Sequence, residues 1–210
     1  MKVLSISDTI IPFIHSPAIN EKIRGVDFVI ACGDLPYYYQ EYIIKKLNIP
    51  LYFVRGNHDK LVEYGGNGDT RKAPRGGIDM HVHIARNDGL LFAGIEGCIR
   101  YNHWGHFQYT QTEMWGHFLR LVPGLLLNRL LYGRYLDILI THAAPWGIHD
   151  KPDWTHQGVR AFNALLRLFR PKYHFHGHNH IYETDRIVET QVGNTLVINT
   201  YGYRQMNLTI

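Results

Sequence analysis

Five short apolar runs, each closing on a polar residue able to hold a metal ion, constrain this chain more than any other feature. Val3, Leu4 and Ile6 lead to Asp8; Phe28 to Cys32 leads through Gly33 to Asp34; Leu51 to Val54 leads through Arg55 and Gly56 to Asn57. Ile138 to Ile140 leads to His142, and Tyr173 to Phe175 leads to Gly177-His178-Asn179-His180. Runs of this length, rich in Val, Ile, Leu and Phe and bounded by glycine or polar residues, specify buried strands. In a layered α/β fold, ligands collect beyond the carboxyl ends of such strands. One sheet edge could therefore gather two Asp, one Asn and three His.

The segments between the runs fit that frame. Helical patterns over about 17–24 and 38–47 alternate with the first three strands, a βαβαβ order that implies a parallel sheet with right-handed crossovers. Residues 60–76, rich in Gly, Lys and Arg, read as a surface loop. Strands are expected at 78–84 and 90–95, joined by Asn87-Asp88-Gly89, which suits a tight hairpin. Gly94, Gly97 and the aromatic segment 101–109 form a second loop. A helix is expected over 112–131, kinked or split at Pro123-Gly124. A strand to Thr141, a helix over 158–170 and a strand to His176 make another βαβ unit. Runs at 181–186, 196–199 and 206–210 suggest an antiparallel meander. With no linker in view, residues 1–210 are expected to form a single domain.

A chain of 210 residues buries about 70–75% of its unfolded surface and needs no staples. Its 45% hydrophobic and 19% charged residues, without repeats, are those of a soluble globular protein and argue against disorder. The net charge of +4 favours an anionic ligand, yet the basic residues are dispersed, so there is no strong nucleic-acid signal. Cys32 and Cys98 make no disulfide framework. The N-terminus lacks a signal-peptide pattern, and no apolar stretch approaches the roughly 20 residues of a transmembrane span. The cytoplasm is the expected compartment. Nothing in the composition specifies an oligomeric state.

Carboxylates and imidazoles gathered away from water are costly unless compensated, and a divalent cation compensates them most directly. The mixed O/N donor set suits Mn, Fe, Zn or Co better than Ca, and without thiolates it is no structural zinc knuckle. Two cations roughly 4 Å apart could share one carboxylate and clamp a phosphate, with Asp34 the natural bridge. His178 and His180 stand two residues apart and would project to one face of an extended segment; the plainer alternative is a surface strand start with two solvated imidazoles. Gly56-Asn57-His58-Asp59 is also ordinary turn chemistry. Beside Asn57, however, His58 could reach a phosphate oxygen or leaving group, oriented by Asp59.

In order and spacing, Asp8, Gly33-Asp34, Gly56-Asn57-His58-Asp59, Thr141-His142 and Gly177-His178-Asn179-His180 resemble the motifs of the calcineurin-like metallophosphoesterases. The resemblance runs over essentially the whole chain. It implies an α/β fold of the four-layer α/β/β/α sandwich type, a binuclear metal centre (manganese among the candidate ions) and a phosphorylated small-molecule substrate. It implies hydrolysis of a phosphodiester or small phosphomonoester, by in-line attack of a metal-bound hydroxide, with His58 and Asp59 catalytic. Carried across by position, one metal takes Asp34, Asn57, His142 and His178; the other takes Asp8, Asp34 and His180. The family also supplies a histidine two residues after the first aspartate, where this chain has Ile10. The second site is therefore short of a ligand, with His15 the nearest replacement in sequence. That gap opens an alternative, a catalytically impaired scaffold or binding protein with this fold.

Other residues have looser roles. His149, Asp150, Asp153 and His156 could line the substrate pocket, or His149 could pair with Asp150 or Asp153. Tyr101, Asn102, His103, Trp104 and His106 could form a lid that brings His103 to the substrate, or a packed aromatic loop. Residues 117–133, rich in leucine with Arg120, Arg129 and Arg134 nearby, offer the apolar face of a sandwich helix or a surface for membrane or acyl chains. His81 and His83, alternating on a strand, are expected at the surface.

Overall fold

The computed structural model describes residues 1–66, 68–181 and 188–209. The chain runs β1 (Lys2–Ser7), α1 (Ile19–Lys22), β2 (Phe28–Ala31), α2 (Tyr37–Leu47), β3 (Leu51–Phe53), β4 (Glu63–Tyr64), β5 (Thr70–Arg71), β6 (Gly77–Asp79), β7 (His83–Asn87) and β8 (Leu90–Ile95). It continues with β9 (Cys98–Ile99), β10 (Gln108–Tyr109), α3 (Gln111–Tyr132), β11 (Ile138–Thr141), α4 (Arg160–Phe169), β12 (Tyr173–His176), β13 (Glu189–Val192), β14 (Thr195–Asn199) and β15 (Gly202–Asn207).

Two large sheets form, in the orders β15-β1-β2-β3-β6 and β13-β14-β12-β11-β8-β7. The interior pairings β1-β2, β2-β3, β8-β11, β11-β12 and β12-β14 are parallel, as expected of fully buried apolar strands. Antiparallel strands close three edges: β15 on β1, β7 on β8 and β13 on β14. Side chains that alternate along each strand divide the core into three seams. Leu4, Ile6, Val29, Ala31 and Phe53 meet Ile14, Ile19, Tyr39 and Ile43 from the helical side. Val3, Phe28, Ile30 and Tyr52 meet Phe92, Ile138, Ile140, Phe175 and Ile198 between the sheets. Ala93, Leu139 and Val197 meet α3 and α4 through Phe118, Leu121, Leu125, Phe162 and Leu165. The layering is α/β/β/α.

Several elements depart from expectation. The expected strand at 78–84 is two: β6 joins the first sheet and β7 the second, and the chain crosses between them at Met80, His81 and Val82, with Val82 at φ 49°. Residues 60–76 include the small β4-β5 hairpin. Helix α3 is one unbroken element across Pro123. Pro123 and Leu119 both lie on its exposed side, so the carbonyl that proline leaves without an N–H donor can be hydrated. The tail is no meander, because β14 pairs parallel with β12 while β15 leaves for the other sheet. Of the strand expected at 181–186, residues 182–186 lie outside the described residues. Asp88 and Gly89, at φ 47° and 81°, turn the β7-β8 hairpin as expected. His83 is exposed, whereas His81 is half-buried: it stacks on Tyr109, and its Nδ1 accepts the Glu96 N–H at 3.2 Å. Burial lowers its pKa to about 4, so the ring is a neutral acceptor rather than an ion-pair partner of Glu96.

Candidate metal centre

The loops that leave β1, β2, β3, β11 and β12 converge at one end of the two sheets. Three of their residues, Asp8, Asp34 and His178, sit in the left-handed region at φ 65°, 57° and 66°. Side chains seldom adopt this conformation unless the surroundings over-determine it. Glycines make the convergence possible. A Cβ on Gly56 would overlap Asp34 Oδ1, and one on Gly177 would fall 2.6 Å from Asp8 Oδ2.

One ligand set comes together fully. Ligand atoms of Asp34, His142 and His178 lie within 4.8 Å of one another. His142 is wholly buried, with Nδ1 2.7 Å from the Cys32 carbonyl oxygen. Its Nε2 stands 3.0 Å from Asn57 Oδ1 and 3.4 Å from Asp34 Oδ2. Both ring nitrogens thus face oxygens, a cradle that demands positive charge. Burial alone would lower the His142 pKa, but Asp34 and Asp8 beside it hold the imidazolium and raise the value to about 9. Against the opposing effect of burial, His142 draws Asp34 down to about 2. A divalent cation in place of that proton satisfies the same oxygens, and Nδ1 bonded to a carbonyl oxygen leaves Nε2 as the coordinating atom.

Asn57 donates from Nδ2 to Tyr101 Oη at 2.9 Å, which turns Oδ1 inward. His178 Nε2 lies 3.0 Å from the Thr155 carbonyl oxygen, leaving Nδ1 for the metal, and burial followed by the His142 charge pushes its pKa down to about 3. A neutral imidazole is the form a ligand needs. The donor set fits a divalent cation.

The second set is sparser. The buried carboxylate of Asp8 accepts the His178 N–H at 3.0 and 3.2 Å, and His180 Nε2 stands 3.6 Å from Asp8 Oδ1. Ile10 packs with the apolar seam beneath β1, β2 and β3. His15 is exposed and engaged by the rings of Tyr38, Tyr39 and Tyr42 at 5.6, 5.7 and 4.8 Å.

His58 is exposed, and its backbone N–H donates to Asp34 Oδ1 at 2.8 Å. It forms part of the walls of two cavities, one of about 350 Å3 with Asp34, Tyr38 and Lys60, the other of about 560 Å3 with Asn57, Trp104 and His106. Asp59 is buried and accepts the N–H groups of Asp34, Leu35 and Gly56 at 3.1, 3.0 and 2.7 Å. It ties the second and third loops together. Burial and then the charge of Asp34 raise its pKa to about 7.

The candidate substrate residues separate. The His156 ring lies 5.4 Å from that of His178, with Nδ1 2.8 Å from Asp153 Oδ1. His103 is exposed and lines another cavity of about 350 Å3 with Tyr101 and Trp154. His149 engages His176 Nε2 at 2.9 Å and Thr190 Oγ1 at 2.8 Å. The sequence shows Tyr101 only as part of a loop and gives no sign of the clamp of Arg55 on Asp79 and Glu96, at 2.6 and 3.3 Å. No local signal marks either, because each partner lies more than 20 residues away. Burial raises the thiols of Cys32 and Cys98 far above the usual range, so both are inert.

The profile of the calcineurin-like phosphoesterase family matches residues 1–182, and the chain belongs to that family. Among solved structures it is similar to the TT1561 protein of Thermus thermophilus, with 15% identity, a TM-score of 0.64, and 96% of this chain and 89% of the other covered. It is also similar to a phosphopantetheinyl hydrolase from Mycobacterium tuberculosis, with 10% identity, a TM-score of 0.58, and 95% and 88% covered. At such identities the likeness is one of fold. Among curated proteins no match is found.

Proposed function

We propose that this protein is a metal-dependent phosphoesterase that hydrolyses a phosphodiester or small phosphomonoester in the cytoplasm. The reading rests on the cradle of Asp34, Asn57 and His178 around His142, whose nitrogens both face oxygens. Asp34, Asn57, His142 and His178 would hold one divalent ion, and Asp8 and His180, with Asp34 as bridge, a more weakly held second. Manganese, iron, zinc and cobalt all suit the donors. Bound metal would supply Lewis acidity and neutralise phosphate charge. His58, at the rim of both cavities, would donate to a phosphoryl oxygen or the leaving group. Asp59 serves that step by holding the loop that carries His58. His103 and His156 stand where a substrate's substituents could pass, and His149 would act on the site indirectly, through His176 and through its carbonyl oxygen, which accepts from Asn179 Nδ2 at 2.7 Å.

The competing reading is a phosphoesterase-like scaffold with impaired catalysis, favoured by Ile10 alone, which puts an apolar side chain where a ligand is expected. Metal analysis and hydrolysis of bis-p-nitrophenyl phosphate under Mn, Fe, Zn and Co decide between them. We expect turnover with at least one metal, a fall of about 100-fold or more in His58→Ala, and higher metal stoichiometry in Ile10→His. Inactivity with every metal, or an unimpaired His58→Ala, would remove the enzyme reading.

A further inference from the structure

Helix α3 is apolar on both sides. At about 100° per residue, its buried Met114, Phe118, Leu121, Leu125 and Asn128 fall within about 40° of one direction, toward the second sheet. The opposite side bears Leu119, Leu126, Leu127, Leu130 and Leu131, exposed by 59, 53, 53, 81 and 58%. Trp115 flanks them near the N-terminal end, and Leu168 adds an exposed side chain on the neighbouring α4. A contiguous exposed patch of leucines marks an interaction surface rather than an ordinary helix exterior.

Charge identifies the partner. From Met114 to Tyr132, α3 carries Arg120 and Arg129 and no carboxylate; α4 carries Arg160 and Arg167 and none either. These four arginines and Arg170 are exposed, and among the described residues none is ion-paired. Arg160 lies over the half-exposed Trp146 ring, 4.3 Å from its centroid. A second copy docked here would set arginines against arginines, with Glu113, in the first turn of α3 and already held by Arg100, the one carboxylate on either helix. An anionic lipid surface meets both needs, taking leucine side chains at the acyl boundary and arginines among the headgroups. No helix among the described residues is long and apolar enough to cross a membrane, so the contact is peripheral. We propose that the outer face of α3 and α4 docks this protein on an anionic phospholipid surface.

Co-sedimentation of the full chain with vesicles of phosphatidylcholine, alone or mixed with phosphatidylglycerol, tests this. The wild type should partition onto the anionic vesicles, weakly onto neutral ones, and less as salt rises. Leu126→Gln/Leu127→Gln/Leu130→Gln should lose tenfold or more. Arg120→Gln/Arg129→Gln should lose roughly thirty-fold, at about 1 kcal/mol per arginine. Far-UV circular dichroism and melting temperature check that both variants fold, and the arginine pair keeps the test decisive should the leucine variant not. No partition onto anionic vesicles overturns the proposal, as does partition unchanged in both variants. Light scattering that shows a dimer dissolved by the leucine changes, with no vesicle binding, would give the face to a second copy instead.

Discussion

Each left-handed side chain costs about 1–2 kcal/mol of backbone strain, and Asp8, Asp34 and His178 all accept it. At Asp8 the usual ranking of small residues should therefore invert. Metal-free Asp8→Gly should be about 1 kcal/mol more stable than Asp8→Ala in urea unfolding, whereas an alanine variant equal or superior would show that the backbone there relaxes. His142 carries a second consequence. Its folded pKa, near 9, lies above its unfolded value, so its contribution is complete below about pH 6.5 and lost as pH rises through 9. Asp34, lowered to about 2, contributes above its unfolded value and loses that contribution only as pH falls toward 2. Relative to a His142→Ala variant, the chelated protein should therefore lose stability as pH rises from 6.5 to 9.5, measured as unfolding midpoints; parallel profiles for the two proteins would refute the buried imidazolium. At this scale the residues that converge are legible because each ends an apolar run. The strain was not, since φ at Asp8 is imposed by a partner loop 170 residues away.

Elements succeeded or failed as sequence signals according to how local their causes are. The strands β1, β2, β3, β11 and β12 are uninterrupted apolar runs, and their buried character alone identifies them. The division of residues 78–84 between two sheets has no such signature, because both pieces look strand-like and only the remote partners β3 and β8 distinguish them. Pro123 misled for the complementary reason, since a proline rule applies to the interior of a helix whatever its exposed side can obtain from water. The sequence marks the loop between β9 and β10 as a lid or a packed aromatic segment and no more. Its Tyr101 reaches the site through one hydrogen bond to Asn57. Tyr101→Phe should leave the melting temperature nearly unchanged while weakening metal binding about 10- to 100-fold, as read by competition with a chelating dye. Unaltered affinity would reduce that bond to packing.

Across the whole molecule, the site joins the two sheets: Asp8, Asp34 and Asn57 follow strands of one, His142 and His178 strands of the other. Layer order was legible through the family resemblance, while the return of the last strand to the first sheet was not, because pairing across some 200 residues leaves no local pattern. Strand β15 lies along all of β1, from Lys2 opposite Asn207 to Ser7 opposite Gly202. A chain ending before Gly202 should lose both cooperative unfolding and metal binding, as read by calorimetry with and without metal. Retention of either would show that β1 holds Asp8 without its neighbour. That pairing also sets a timetable for biosynthesis. Strand β1 leaves the ribosome long before β15 and must wait with one edge open until that partner emerges, and an open edge invites pairing with other chains. Assembly of the candidate metal centre thus waits on β15, and the nascent protein is most vulnerable to aggregation while its Asp8 strand lacks that partner.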